Sequence, residues 1–391
     1  MAYDFITLPD RWNAGAFKYE HMKEMKPDVS RDAVPLSVAD MEFLNPPEVV
    51  EGLKNYIDHN VLGYTGPTDD YFVAVQNWME RRHGYRPAKE WFITSPGIVP
   101  ALYEIVKALT NPGDGVLMLS PVYHPFRFCA QEQGREAVFC PLIERGRTYD
   151  IDFERFESLC AEPKVKLFLL CSPHNPVGRI WTREELLRLG DICLTHNVIM
   201  VADEIHGDLI LPGYTFTSVG ALSEQYVKNA ILCTAPSKTF NLAGMQCSNL
   251  FVADEALREK MKKEGHYPTL TALGYESCRL AYDRAEPWLE ALRVVLDDNK
   301  KLAEAYLAEH IPVIRPFELM GTYLMWLDCR GLGLDKDALE KAMIAGELFF
   351  DEGYIFGEEG AGFERLNLAC PAWVLQKALD KLAAVVRRIQ E

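Results

Sequence analysis

Lys238 follows an apolar run, Ala230-Ile231-Leu232-Cys233, and enters a small hydroxyl-rich turn, Thr234-Ala235-Pro236-Ser237-Lys238-Thr239. Desolvation disfavours an ammonium ion, so a lysine in this setting tends toward the neutral amine. A neutral amine is what Schiff-base chemistry with a carbonyl cofactor requires, and Ser237 beside it offers a hydroxyl for a phosphate. Asp203 ends a second apolar run, Val198-Ile199-Met200-Val201-Ala202, where an unpaired carboxylate is costly to bury. Tyr123, in Pro121-Val122-Tyr123-His124-Pro125, and Asn175, in Ser172-Pro173-His174-Asn175-Pro176-Val177-Gly178, each follow a further apolar run. Taken singly, each has an ordinary reading: a core aromatic for Tyr123, an Asx-turn for Asn175.

The elements that must position these residues are short strands. Gly115–Ser120, Lys166–Cys171, Val198–Asp203, Ala230–Thr234 and Asn249–Ala253 are apolar and bounded by turn residues. Thr182 and Glu185 form a capping box that opens a helix running to about Asn197. Strands alternating with helices predict an α/β fold with a mainly parallel sheet covered on both faces. Ligands of such sheets bind beyond the carboxyl ends of the strands, where these candidate residues fall. Upstream, Thr94–Pro100 precedes an apolar helix whose first amides suit a phosphate.

Beyond Pro287 a long amphipathic helix, Trp288 to about His310, leads to strand-like segments at Thr322–Leu327, Leu348–Phe350 and Glu364–Leu368. The expected division is an N-terminal arm (1–45) packing on a small domain, a large cofactor-binding domain (46–286), and a small C-terminal domain (287–391). A net charge of −16 argues against nucleic acid or an anionic membrane as partner. No apolar run reaches the length of a membrane helix, and the N-terminus lacks a signal-peptide pattern, so the expected location is cytoplasmic. The ten cysteines are never closer than eleven residues apart. That spacing shows no metal-ligand pairing and fits buried free thiols.

A lysine, a buried carboxylate, an aromatic ring, an amide and a phosphate-binding helix start together meet the needs of pyridoxal phosphate. The order of Asn-Pro-x-Gly, Asp-Glu-Ile-His and Ser-Lys-Thr-Phe-Asn resembles fold-type I pyridoxal-phosphate enzymes with the aspartate aminotransferase-like fold, which implies a large domain with a mainly parallel seven-stranded sheet and a smaller C-terminal α/β domain. Within them the chain is most similar to the MalY/PatB group of cystathionine β-lyase-like proteins and its cystalysin-type C–S lyases. Similar segments include Pro35–Pro47, Leu62–Pro67, Gly321–Leu324 and Phe349–Gly357 followed by Phe363–Leu368.

The resemblance implies that Lys238 holds the cofactor and removes the substrate Cα proton. It implies that Asp203 pairs with the pyridinium, Asn175 with O3′, and that Tyr123 stacks on the ring. Gly97, Ile98 and Ser237 would hold the phosphate. Tyr64 would reach the neighbouring subunit's phosphate, in a homodimer with shared sites, and Arg365 would bind the substrate α-carboxylate. His206 is either a structural histidine or a cofactor contact. One departure stands out: where cystalysin-type enzymes carry a second tyrosine after Tyr123, this chain has His124, which ordinarily titrates near neutrality. It is either a substitute acid or base, or a bystander that reshapes substrate preference.

The implied reaction is α,β-elimination from L-cystathionine or L-cysteine-type amino acids to a thiol or sulfide, pyruvate and ammonia. The alternatives are a class I/II aminotransferase and a regulatory, partner-binding protein with residual lyase activity.

Overall fold

The computed structural model describes residues 3–391. Its main sheet has seven strands: β1 (Phe92–Ser95), β2 (Gly115–Ser120), β3 (Glu136–Pro141), β4 (Val165–Cys171), β5 (Ile199–Asp203), β6 (Ala230–Thr234) and β7 (Ser248–Val252). They are ordered β1-β7-β6-β5-β4-β2-β3, and only β7 runs against its neighbours. Every residue of β2, β6 and β7 is buried, because helices cover both faces. This explains why these strands read as continuous apolar runs rather than alternating ones. β1 and β3 escaped the pattern reading: β1 is four residues long, and β3 is an edge strand that starts on an exposed glutamate.

The predicted helix after Thr182 spans Arg183–His196 with both capping-box bonds formed, and Asn197 closes it at φ 57°. The long C-terminal helix spans Glu286–His310. After it come β8 (Arg315–Pro316), β9 (Leu324–Asp328), β10 (Asp351–Glu352) and β11 (Phe363–Asn367), an antiparallel sheet ordered β8-β9-β11-β10.

Leu348–Phe350 is not a strand. Its apolar side chains are buried, but the Phe349 carbonyl accepts from the Leu36 amide at 2.9 Å, and Phe349 packs on Tyr19, Met22 and Ala33. Apolar content marked burial there; the partner that would have made a ladder is an irregular N-terminal segment.

That segment adheres to the C-terminal sheet along its length. The Asn367 amide donates to the Leu36 carbonyl and the Glu42 amide to the Ala369 carbonyl. The Asn367 side chain donates to the Val38 and Asp40 carbonyls, both at 2.8 Å. These bonds fix Val38–Asp40 against the mouth of the main sheet. Among the described residues no helix is long and apolar enough to cross a membrane.

Candidate active site

The carboxyl ends of β2, β4, β5 and β6 converge on a cavity of about 330 Å³ that also meets the small sheet. Tyr123 follows β2, Asn175 follows β4, Asp203 is the last residue of β5, and Lys238 lies in a short helix (Pro236–Thr239) after β6. All four line the cavity with Gly97, Ile98, Ser237, His206, His124 and Arg365. Residues scattered over more than 260 positions therefore face one space.

Burial sets the protonation of the groups inside. Lys238 is pulled down to about 8 by desolvation, although Asp40 pushes the other way, and its amine donates to the Ala39 carbonyl at 2.7 Å. Asp203 is pushed up to about 7 by burial. The Ile205 amide donates to its carboxylate at 3.1 Å and the Lys238 charge favours its anion, but among the described residues no ion pair holds it. His206 is driven well below its usual range by burial, and its Nδ1 has no partner. His124 falls to about 4 because it is buried and lies near the Arg365 cation. A histidine expected to titrate near neutrality is thus uncharged at pH 7, so it can exchange hydrogen bonds but cannot serve as a cationic acid there. Its Nδ1 is buried without a partner.

Arg365, on β11, is buried. It donates from Nη1 to Asn175 Oδ1 at 2.6 Å and from Nε to Asp351 Oδ2 at 3.1 Å. Asp351 lies inside the similar segment Phe349–Gly357, but no role follows for it from the sequence. The only signal was an acidic residue two positions after a buried phenylalanine. The Val38 amide also donates to Asp351, at 2.9 Å, and Val38 itself adopts φ 56°, a conformation a β-branched residue rarely takes. Asp351 therefore ties the arginine to the N-terminal segment across the cavity mouth.

The residues expected to hold the phosphate, Gly97, Ile98 and Ser237, line the same cavity. The helix Ile98–Leu109 starts at Gly97, whose φ of 152° favours glycine. Its first amides have no intrahelical acceptors. Tyr64 is elsewhere: it is fully exposed and lines a separate surface hollow with Leu62 and Thr269–Leu273. Within a single chain it does not reach the cavity.

The donor set fits pyridoxal phosphate on its chemistry. A buried carboxylate held by no ion pair suits a pyridinium, an amine of lowered basicity suits the aldehyde, and a helix start suits the phosphate.

Residues 31–382 match the family described as aminotransferase class I and II. The chain belongs to that family. Among curated relatives, cystathionine β-lyase PatB of Bacillus subtilis is 40% identical over 91% of this chain and 93% of its own length. Protein MalY of Escherichia coli is 28% identical over 99% of this chain and all of its own. Among solved structures, cystalysin from Treponema denticola, which contains a pyridoxal 5′-phosphate cofactor, superposes with a TM-score of 0.97 at 44% identity. That match covers 99% of this chain and 100% of the other.

Proposed function

We propose that this chain is a pyridoxal-phosphate-dependent carbon–sulfur β-lyase. It cleaves L-cysteine-type amino acids, cystathionine and cysteine among them, to a thiol or sulfide, pyruvate and ammonia. The observation that carries this reading is the meeting of Lys238, Asp203, Asn175 and Arg365 in one cavity, in a chain that matches cystalysin over 99% of its length.

Bound pyridoxal phosphate supplies an electron sink for the pair left at the substrate Cα when its proton departs. Lys238 holds the cofactor, then accepts the Cα proton on its amine. Asp203, an anion above pH 7, keeps the pyridine nitrogen protonated. Asn175 donates to the phenolic oxygen while its Oδ1 accepts from Arg365. Arg365 grips the α-carboxylate, for which a planar guanidinium is the matched fork. Tyr123 covers the ring face, and the Gly97 and Ile98 amides with Ser237 take the phosphate. His206 lines the same cavity as a neutral residue.

The domains on this reading are the N-terminal arm (1–45), the large cofactor domain (46–286) and the small domain (287–391). The working unit is a homodimer in which the exposed Tyr64 of one copy reaches its partner's phosphate. The exposed Val61 and Leu62 flanking Tyr64 support a surface meant to be covered. Ten cysteines, all free and buried, fit a reducing compartment such as the cytoplasm.

The test is pyruvate release from a panel of thiol, thioether and disulfide cysteine derivatives. Release of pyruvate and thiol in equal amounts supports the lyase. No pyruvate from any member, with amino transfer to a 2-oxo acid instead, would assign the family's aminotransferase chemistry.

A further inference from the structure

Beyond the carboxyl end of β5 the chain makes two tight turns. The Gly207 amide donates to the Glu204 carbonyl at 2.8 Å, and the Leu209 amide to the His206 carbonyl at 2.9 Å. Asp203 and His206 of this stretch line the cavity; Asp208 is buried behind them and does not. The Asp208 carboxylate accepts three hydrogen bonds. Oδ2 accepts from Thr239 Oγ1 at 2.9 Å and from Trp78 Nε1 at 3.2 Å, and Oδ1 accepts from His83 Nε2 at 2.9 Å. Burial opposes its charge, yet His83, Arg82 and Thr239 hold the carboxyl below its usual range.

Trp78 and His83 belong to the helix Asp69–His83. Trp78 stacks on Tyr282 at 4.9 Å and meets the edge of Phe240 at 5.6 Å, and all three rings are buried. Asp208 is therefore fixed against a packed aromatic wall. Its third donor, Thr239, directly follows Lys238 in the helix Pro236–Thr239. The β5–β6 ladder runs out with the Glu204 amide on the Cys233 carbonyl at 2.9 Å. Past that point the Asp208–Thr239 bond joins the stretch bearing Asp203 and His206 to the helix bearing Lys238. Lys238 is thus tethered on both sides, by its amine on the Ala39 carbonyl and by its neighbour on Asp208.

The cofactor ring is rigid, and the pyridine nitrogen and the aldehyde carbon lie at opposite ends of it. The spacing between the Asp203 and Lys238 stretches must match that ring, and reacting groups need placement within about 0.5 Å. A buried ion cluster adds little net stability, because desolvation offsets its attraction. What three directional bonds supply is position.

We propose that Asp208 is a positioning residue: through Thr239 it sets where Lys238 stands relative to Asp203, and so how well the Lys238 amine meets the substrate Cα proton. This assignment rests on the cofactor roles given to Lys238 and Asp203. It holds for lyase and aminotransferase chemistry alike, since both begin by removing that proton.

The experiment uses the holoenzyme with Thr239→Val, which keeps the volume and removes the hydroxyl, and Thr239→Ser, which keeps the hydroxyl. Exchange of the Cα protons of glycine in heavy water is followed by NMR, beside the visible circular dichroism of the bound cofactor and the Tm. At saturating glycine Thr239→Val should slow exchange by about tenfold to hundredfold, the scale of one hydrogen bond to a charged group. Half-saturation by glycine should stay within about twofold, because Arg365 is untouched. The visible dichroism per unit of cofactor absorbance should change in Thr239→Val, and Thr239→Ser should keep both properties near wild type. A Thr239→Val enzyme that loses only Tm, with exchange within about twofold and dichroism unchanged, overturns the proposal. Equal slowing in Thr239→Ser overturns it too. If Thr239→Val yields no holoprotein, Asp208→Asn, a weaker neutral acceptor, should slow exchange by about threefold or more, and unchanged exchange there overturns the proposal. No exchange in the wild type overturns the role of Lys238 itself and the proposal with it. Exchange without pyruvate from any cysteine derivative overturns the lyase reading alone.

Discussion

Replacing Asp351 with alanine tests whether one carboxylate joins Arg365 to the N-terminal segment. In the structure Asp351 Oδ2 accepts from Arg365 Nε at 3.1 Å and from the Val38 amide at 2.9 Å, with Arg365 Nη2 as a third donor. The Arg365 side chain is 3% exposed and the Asp351 side chain 13%, so water cannot readily replace the lost anion. Removing one partner of a buried pair leaves an uncompensated charge, a loss of about 3 kcal/mol for a site that is not fully sealed. With an unfolding entropy of about 2.1 cal/mol/K per residue over 391 residues, that corresponds to a Tm lower by about 4 °C. Asp351→Asn keeps an acceptor without the charge and should fall between the two. Glycine, which brings an α-carboxylate but no leaving group, should raise the Tm of Asp351→Ala more than that of the wild type. The assay is thermal unfolding of the holoprotein by near-UV circular dichroism, with and without glycine. If Asp351→Ala melts within about 1 °C of wild type, less than a third of the shift that entropy implies, or gains no extra protection from glycine, the buried-pair argument is wrong.

Arg365→Lys loses the bidentate fork while keeping the charge, and should lower kcat/KM by about tenfold to hundredfold, read mainly in KM. Asp203 has a folded pKa raised from 3.8 to about 7, so the native state binds that proton more tightly than the unfolded chain. Its contribution to the stability of the cofactor-free protein is therefore full below pH 4 and declines as the pH rises toward 7. Denaturant titrations of the cofactor-free protein across that window should show a shallower decline for Asp203→Asn than for wild type. Lys238, lowered to about 8, should make cofactor uptake by the cofactor-free protein accelerate as the pH rises through that value, followed by cofactor absorbance. Uptake independent of pH between 7 and 9 would contradict it. His124, near 4, should contribute no ionisation around pH 6–7, so the pH profiles of His124→Gln and wild type should share the same limbs there.

Much of the site was legible in the chain because its residues sit at ends of continuous apolar runs. Lys238, Asp203, Asn175 and Tyr123 each follow such a run, and strands buried on both faces announce themselves in this way. The residues that escaped have other signals or none. Asp351 lies in a similar segment, but its role follows only from tertiary placement, where β10 sets it opposite Arg365 on β11 and the Val38 amide donates to it. Asp208 lies just past the Asp-Glu-Ile-His motif, and nothing local marks it as a partner of Thr239. Leu348–Phe350 was apolar enough to be buried, but composition cannot say whether a buried segment bonds to a strand or to an irregular arm.

The sequence by itself determined which residue types were available and, through the apolar runs, that four of them would emerge at one edge of a parallel sheet. That follows from local physics, because strand burial and strand ends are properties of consecutive residues. Tertiary structure alone decided their charge states and their partners. Desolvation and neighbouring ions depend on atoms brought in from distant segments, and these moved His124 from a neutral-pH titrator to an uncharged wall, raised Asp203 by burial against the opposing Lys238 charge, and joined Arg365 to Asp351 and Asn175. Tyr64 shows the same division: its place in the chain is plain, yet tertiary structure leaves it exposed, in a hollow separate from the cavity.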